Sequence, residues 1–302
     1  MRDGVLVVDK PQGRTSHDVV DHVRRSLQVK RAGHTGTLDP FATGVLPICL
    51  GKAARLARFL GEGDKEYRAT VRLGFATSTD DLEGEPLGQA AAVSVDPPAL
   101  AEACASLTGR LLQVPPAFSA KRVGGRRLYD LARGGERVEP RPAPVVVHAL
   151  EVRGVDGDRL EIEVRCSRGT YVRALARDLG ARLGCGGHLV ALRRLRSGEF
   201  DLERAVTWEG VPEAGDHVLP LRGLLTGMPA VLVGPEGREA VRHGRSLGAG
   251  LVLSGFPAPG TAWVRVQDEG GDLLAVAECG DLGLEGSVLP VEPLLHPRVV
   301  LL

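Results

Sequence analysis

A dense cluster of turn residues surrounds one carboxylate in the segment GHTGTLDPFATGVLP, residues 33–47. Asp39 precedes Pro40, which disfavours the α region and favours an extended backbone at Asp39. Gly36 and Gly44 on either side permit sharp chain reversals. Such a loop can hold a carboxylate rigidly at a cleft, where it could act as a nucleophile. The alternative is an Asx turn, in which the Asp39 side chain bonds its own backbone ahead of a helix.

The arginines are concentrated in one part of the chain. Residues 165–196 hold eight arginines and a single acid, Asp178, although the whole chain has 38 basic and 38 acidic residues. A second basic stretch runs over residues 121–141. Segregated charge of this kind predicts phosphate binding to a polyanion. In CSRGTYVRALARDLG we predict a helix with Thr170 as N-cap and Arg173 in the first turn, where a cation is unfavourable unless it faces an anion.

Other residues are candidates for base stacking or for metal binding. Tyr67, in the predicted strand KEYRATVRLG, could stack on a nucleobase or could simply pack across the sheet. His34 with Asp39, or Cys185 with His188 in CGGH, would supply two ligands, whereas zinc needs three or four. We therefore expect no metal site, and we expect Cys185 to be a core residue and His188 a capping or backbone-bonded histidine. The chain has no GxxxxGK[ST], GxGxxG or GxSxG motif, which disfavours nucleotide-cradling loops and a serine nucleophile elbow.

Hydrophobic periodicity predicts the elements that must position these residues. The order of helices and strands is mixed rather than strictly alternating, which favours an α+β fold with a mixed or antiparallel sheet over a Rossmann sheet. Ser16 is the expected cap of the first helix. The predicted strands are GVLVVDK, GVLPICLG, KEYRATVRLG, the hairpin VVVHALEVRGVDGDRLEIEVRCS and HLVALRRLRSGEFDL, and the predicted helices are SHDVVDHVRRSL, KAARLARFLGEG, PPALAEACASLTG, RRLYDLARGG and GTYVRALARDLGARLG.

At 302 residues the chain fits two domains. We predict one domain over residues 1–225, with a mobile arm over 113–141, and a small β-rich domain over 229–302. No apolar run reaches the ~18 residues that a membrane helix needs, and the N-terminus shows no signal-peptide pattern. The five cysteines are scattered and odd in number, which favours reduced thiols. We therefore expect a cytoplasmic protein that does not contact membranes.

Five segments of the chain, in this order, closely resemble the TruB family of bacterial tRNA pseudouridine synthases, over roughly residues 4–210. They are GVLVVDKPQGRTSHDVV, RAGHTGTLDPFATGVLPICLGKAARL, KEYRATVRLGFATSTDDLEGE, QVPPAFSAKRVGGRRLYDLARGG and CSRGTYVRALARDLGARLGCGGHLVALRRLRSG. The resemblance implies a pseudouridine synthase catalytic domain with an RNA-binding arm and, more weakly, a PUA-like RNA-binding domain at the C-terminus. It implies isomerisation of uridine to pseudouridine at position 55, in the T-loop of tRNA. The expected partner is the tRNA T-arm, and a monomer without cofactor or metal is expected.

The resemblance also assigns roles to individual residues. Asp39 would be the nucleophile, Arg173 would pair with it, and Tyr67 would stack on the flipped target base. The substrate-binding assignments are His34, which would help occupy the space that the flipped base leaves; Leu192, which would line the uracil pocket; Tyr171; and Lys10, which would support the active-site loop or contact a phosphate.

Three alternatives remain open at this point. Asp39 could attack C1′ of the ribose or C6 of the uracil. The chain could instead be a non-catalytic module that binds or folds the tRNA T-arm, since basic stretches serve both functions. A metal-dependent nuclease that uses His34 and Asp39 is the third hypothesis.

Overall fold

The computed structural model describes residues 3–90, 93–116, 122–123, 126–127, 141–258, 260–280 and 294–302. Most of the predicted arm over 113–141 lies outside these residues. Its predicted helix was expected to begin at Arg126. Arg126–Arg127 instead lie in a short strand that pairs with Arg122–Val123, and the rest of that segment lies outside the described residues.

The described elements alternate irregularly along the chain. The helices are α1 (Ser16–Ser26), α2 (Ala57–Leu60), α3 (Pro97–Ser106), α4 (Val172–Arg182) and α5 (Pro235–Arg242), with 3-10 turns at Gly51–Leu56, Leu202–Arg204, Val211–His217, Leu221–Gly223 and Ala249–Leu251. The strands are β1 (Gly4–Lys10), β2 (Ala32–His34), β3 (Thr43–Leu50), β4 (Lys65–Leu73), β5 (Ala76–Thr77), β6 (Pro86–Leu87), β7 (Gly109–Gln113), β8 (Arg122–Val123), β9 (Arg126–Arg127), β10 (Ala143–Asp156), β11 (Arg159–Cys166), β12 (Gly187–Ser197), β13 (Phe200–Asp201), β14 (Val206–Thr207), β15 (Leu219–Pro220), β16 (Ala230–Val233), β17 (Val252–Ser254), β18 (Trp263–Asp268), β19 (Leu273–Cys279) and β20 (Leu295–Val300).

Most of the strands form one mixed sheet of eleven strands. Its central order is β14-β1-β3-β12-β4-β11-β10-β7, and β2, β13 and β15 pair beside this path. The pairs β1–β14 and β3–β12 are parallel, and the other pairs in this sheet are antiparallel. The α+β class with a mixed sheet is therefore confirmed. The central neighbours β3, β12 and β4 carry the loop and side chains discussed below.

A second sheet of five strands, in the order β17-β16-β18-β19-β20, is built from residues after 229. It has its own apolar core, to which α5 contributes Ala240 and Val241. A further apolar cluster joins the two sheets, because Leu56 and Phe59 pack with Val276 and Leu301. No helix in the described ranges combines the length and apolar character needed to cross a bilayer.

Three local predictions are wrong in detail. Thr15, not Ser16, caps α1: its hydroxyl accepts from the Asp18 N–H at 3.0 Å, and its own N–H donates to the Asp18 carboxylate at 2.8 Å. The N-cap of α4 is Tyr171 rather than Thr170, and no side chain of that residue caps the helix. The predicted helix over 52–63 is mostly a 3-10 turn followed by the four-residue α2.

Candidate active site

The Asp39 carboxyl group lies at an open cleft of about 280 Å³. The side chain belongs to the loop between β2 and β3 and is 33% exposed. The predicted residues Tyr67, Tyr171, Arg173 and Leu192 line the same cleft. The structure therefore brings together five of the seven residues predicted from the sequence.

Lys10 holds the Asp39 loop from beneath. Its side chain is fully buried, and Nζ donates to the carbonyls of Pro11 at 2.9 Å, Pro40 at 3.1 Å and Ala42 at 2.6 Å. These acceptors match the three donors of an ammonium group. Burial lowers the Lys10 pKa to about 8, with the nearby Asp39 opposing that shift. The predicted phosphate contact of Lys10, and with it a substrate-binding role, is corrected: the group supports the loop and does not reach the surface.

Ser16 makes a second attachment to the same loop. Its hydroxyl accepts from the Leu38 N–H at 2.8 Å and donates to the Leu38 carbonyl at 3.0 Å. The Gly13 N–H also donates to the Pro40 carbonyl at 2.8 Å. Within the described ranges, the Asp39 carboxylate accepts a hydrogen bond from Arg173 and none from its own backbone. The Asx-turn alternative is therefore wrong for Asp39.

Arg173 connects two carboxylates. Its Nη2 donates to Asp39 Oδ1 at 3.2 Å, and its Nε lies 3.1 Å from Asp39 Oδ2. Its Nη1 donates to Asp81 Oδ2 at 3.0 Å and to the Thr79 carbonyl at 3.1 Å. The Arg173 side chain is only 6% exposed. A planar guanidinium held in this way fixes the orientation of the Asp39 carboxylate, which a lysine could not do.

Asp81 was missed by the sequence analysis. It lies in the turn TSTDDLEGE, is 4% exposed, and is held in place by an N–H from Glu83 at 3.0 Å and by the Thr79 hydroxyl. The Thr77 hydroxyl bonds the Asp81 carbonyl at 2.7 Å. The local signal was only a pair of adjacent acids in a polar turn, which does not show which cation they meet.

Opposing influences act on the Asp39 carboxyl group. Burial raises its pKa above the ordinary value, the Arg173 guanidinium and the Lys10 ammonium lower it, and the Asp81 carboxylate raises it. The net direction is upward, because desolvation penalises the charged form. A carboxylate that is partly desolvated is also a better nucleophile than one fully solvated by water, provided that it remains ionised.

An aromatic and an aliphatic side chain form one wall of the cleft. Tyr67 on β4 is paired with Arg194 on β12, and Leu192 is paired with the next same-face residue, Ala69. Tyr67 and Leu192 are therefore diagonal neighbours on one face of the sheet. Burial raises the Tyr67 pKa, and Arg194 opposes the shift. Such a wall offers π stacking and apolar contact to a planar ring.

His34 lies on β2, opposite Ile48, and is not among the residues that line the cleft. Its Nδ1 is buried and has no hydrogen-bond partner in the part of the chain that the structure describes. Burial lowers its pKa, and the nearby Arg194 adds to this effect. His34 thus lies at the end of β2, where the Asp39 loop begins, and is not part of the cleft lining.

The arginine-rich stretch is largely neutralised by acids that are distant in sequence. Five of its eight arginines form ion pairs: Arg168 with Glu62, Arg173 with Asp39 and Asp81, Arg177 with Asp80 and Asp178, Arg193 with Asp9, and Arg196 with Glu66 and Asp201. Arg194 is 1% exposed and donates to the carbonyls of Val45 and Gly36. The buried Arg173 and Arg194 do not belong to an open basic surface, and phosphate binding by the exposed arginines of the stretch stays a prediction.

Among the described residues, no group of three or more His, Cys, Asp and Glu side chains is placed to hold a metal ion. The CGGH pair does not converge. The Nδ1 of His188 lies 3.1 Å from the Phe75 carbonyl, and the Cys185 thiol contacts the Gly186 carbonyl at 3.4 Å. His188 is thus a backbone-bonded, buried histidine, as predicted.

Two family models match adjacent parts of the chain. Residues 24–172 match the TruB family pseudouridylate synthase N-terminal domain. Residues 173–230 match the tRNA pseudouridylate synthase B C-terminal domain. The boundary between the two matches falls between Val172 and Arg173, at the first residues of α4.

The chain is also similar to complete proteins. It is 42% identical over 305 residues to tRNA pseudouridine synthase B of Solibacter usitatus (strain Ellin6076), which covers 99% of this chain and 100% of that protein. It is 46% identical over 288 residues to tRNA pseudouridine synthase B of Aromatoleum aromaticum (strain DSM 19018 / LMG 30748 / EbN1), covering 93% and 90%. A chain in the crystal structure of a Cbf5-Nop10-Gar1 complex superposes with a TM-score of 0.73 at 27% identity, covering 92% of this chain and 78% of that one.

Proposed function

The chain belongs to the TruB family of pseudouridylate synthases, and on that premise we propose that it isomerises uridine to pseudouridine at position 55, in the T-loop of tRNA. The substrate class is supported by the tRNA pseudouridine synthases that it resembles over nearly its whole length. Asp39 is the proposed nucleophile and Arg173 is its orienting partner.

The observation that carries this proposal is the two-point contact between Asp39 and Arg173 at the mouth of a cleft. A lone carboxylate can attack carbon only if its lone pairs are oriented and it stays ionised. The guanidinium serves both needs, because it fixes the carboxylate plane and favours the charged form. Tyr67 and Leu192 supply the surface against which a uracil ring would lie.

The reaction balances without an external reactant. The N1–C1′ bond of the uridine breaks, the uracil turns, and C5 bonds to C1′. The proton on C5 leaves, and N1 gains a proton. Asp39 would form a transient covalent bond either to C1′ of the ribose or to C6 of the uracil and would then be released. The target base must leave the folded T-loop, at a cost of a few kcal/mol, which stacking on Tyr67 and contact with Leu192 would offset.

Arg168 is the proposed phosphate contact at the cleft. It lines the cleft, its side chain is 65% exposed, and its ion pair with Glu62 is exposed as well. An exposed pair of this kind contributes little stability, so a phosphate can replace the Glu62 carboxylate at small cost. Arg165 is different: Tyr67 pairs with Val164, so the next residue, Arg165, points to the opposite face of the sheet.

The wider organisation of the enzyme is part of the proposal. Residues 1–225 would form the catalytic domain, with the 113–141 segment as an RNA-binding arm, and residues 229–302 would form a PUA-like RNA-binding domain. The separate five-stranded sheet with its own core supports this division. We also propose that the chain acts as a monomer. Because the substrate is tRNA, we also propose a cytoplasmic location.

Tritium release tests the function directly. The purified chain is incubated with a tRNA transcript labelled at uracil C5, and a transcript with cytidine at position 55 is the control. Release from the uridine transcript alone is the expected result. Tight binding of the transcript without release would favour the T-arm binding module instead. Cleavage of the transcript without tritium release, abolished by EDTA, would favour the metal-dependent nuclease.

A further inference from the structure

Gln113 makes an unusual contact with the main chain at the start of α4. It is the last residue of β7, and its side chain is 3% exposed. Its Oε1 accepts from the Tyr171 N–H at 2.8 Å, and its Nε2 donates to the Tyr171 carbonyl at 3.1 Å. One carboxamide thus binds the main-chain N–H and the main-chain carbonyl of the same residue. The two residues are 58 positions apart in the chain, so the contact is tertiary.

This contact fixes the end of the helix that carries Arg173. Tyr171 is the N-cap of α4 and has no side-chain cap of its own. An uncapped helix start would leave the Tyr171 N–H without a partner and free the first turn to fray. Arg173 follows two residues later, and its guanidinium must reach Asp39 and Asp81 together.

A second contact joins the same two elements. Arg177, one turn further along α4, donates through Nη2 to the carbonyl of Val114 at 3.0 Å and through Nη1 to Asp80 at 2.8 Å. Val114 directly follows Gln113. The end of β7 is therefore attached to α4 at two successive turns, on the side that faces the turn containing Asp81.

We propose that Gln113 is a positioning residue for the isomerisation, and that its carboxamide sets the N-terminus of α4 so that Arg173 engages Asp39. The inference rests on the proposed function for its effect on turnover. Its structural part, the placement of the guanidinium against Asp39, does not depend on any reaction.

The uncharged carboxamide of Gln113 fits this positioning role. A carboxylate at the same position could accept from the Tyr171 N–H but would face the Tyr171 carbonyl with no hydrogen to donate. It would also bury a negative charge without a charged partner at the start of the helix that carries Arg173. A carboxamide satisfies the N–H and the carbonyl together and leaves the guanidinium charge to the two aspartates.

The test combines turnover with the titration of Asp39, followed by carboxyl ¹³C NMR in the free protein. Arg173, Lys10 and Asp81 are the charged groups that act on Asp39, and Gln113→Met changes none of these three residues. We expect the titration midpoint of Asp39 to move to higher pH, because the guanidinium is displaced. We expect turnover to fall on the order of 10- to 100-fold, with the dissociation constant for tRNA changed by less than about threefold.

Two further variants complete the design. Gln113→Asn keeps an amide but falls one methylene short of Tyr171, and it should move both readouts in the same direction even if Gln113→Met folds poorly. Leu112→Met, at the neighbouring position on β7, whose side chain is 76% exposed, is the matched control and should change neither.

The results that would overturn the Gln113 proposal differ from the result that would overturn the proposed function. An unchanged Asp39 midpoint in both Gln113 variants would overturn the proposal, whether or not turnover falls. Weaker tRNA binding with unchanged turnover at saturating tRNA would also overturn it. If the wild-type chain releases no tritium from tRNA, the proposed function fails, and the Asp39 titration still decides the role of Gln113.

Discussion

Asp39 and Arg173 lie 134 residues apart in the chain and meet at two points, with Nη2 to Oδ1 at 3.2 Å and Nε to Oδ2 at 3.1 Å. The remaining side of the guanidinium faces Asp81 and the Thr79 carbonyl. Asp81 and the Thr79 carbonyl therefore fix the position of the Arg173 guanidinium, and the guanidinium in turn fixes the orientation of the Asp39 carboxylate. Because the carboxylates share one cation, a change at Asp81 should alter the ionisation of Asp39.

Asp39→Asn should reduce tritium release from C5-labelled tRNA to background. The amide has nearly the same shape as the carboxylate but no nucleophilic oxygen. Affinity for tRNA, measured by filter binding, should stay within a few-fold of the wild type. Asp156→Asn, at the exposed last residue of β10, is the control and should retain full turnover. Full turnover in Asp39→Asn would remove Asp39 from the nucleophile role.

The acid limb of the rate–pH profile should lie above the ordinary aspartate pKa of about 4. Burial raises the Asp39 pKa, and the reactive carboxylate is lost as the pH falls through that raised value. Asp81→Asn removes a negative charge that raises the Asp39 pKa, so the limb should move to lower pH. Turnover near neutral pH should also fall, by about tenfold, because Arg173 loses a partner that orients it.

Glu83→Gln, an exposed change in the same turn as Asp81, should leave both the acid limb and the neutral-pH rate unaltered. Single-turnover rates measured across the acid range provide the comparison. A shift of the Asp81→Asn limb to higher pH would mean that Asp81 acts on Asp39 mainly by holding Arg173 in place and not through its charge.

Lys10→Met should lower turnover at least about tenfold without weakening tRNA binding. The change removes the donor from the carbonyls of Pro11, Pro40 and Ala42, so the loop that carries Asp39 loses its support. The salt dependence of binding should not change, because the buried ammonium meets no phosphate. Lys30→Met, at an exposed position, serves as the control. A flatter salt dependence in Lys10→Met would restore the phosphate contact.

Arg168→Ala should weaken tRNA binding and reduce the slope of log K against log salt by about 1. Arg165→Ala changes an exposed arginine three positions away on the opposite face of the sheet and should leave the slope unaltered. Equilibrium binding at several salt concentrations distinguishes the two variants. Equal slopes for Arg168→Ala and the wild type would exclude a phosphate contact at Arg168.

The sequence alone predicted the main elements because their signals are local. The alternation of β4, the apolar stripe of α1 and the β10–β11 hairpin depend on neighbours within a few residues. The motifs around Asp39, Tyr67 and Arg173 identified the family for the same reason, because each motif is a short contiguous segment of specific residues. The α+β class followed from the order of these elements.

Charge pairing was decided by the tertiary structure. The sequence suggested that eight arginines over 165–196 form a basic surface, and the fold instead neutralises most of them with acids from other strands and turns. Asp81 could not be predicted as a partner of Arg173, because nothing local relates a polar turn to a helix 92 positions away. The role of Lys10 was open for the same reason: only burial beneath the loop decides between a carbonyl and a phosphate as its acceptor. Local sequence determines which chemical groups the chain carries, and packing of distant segments determines which of them meet.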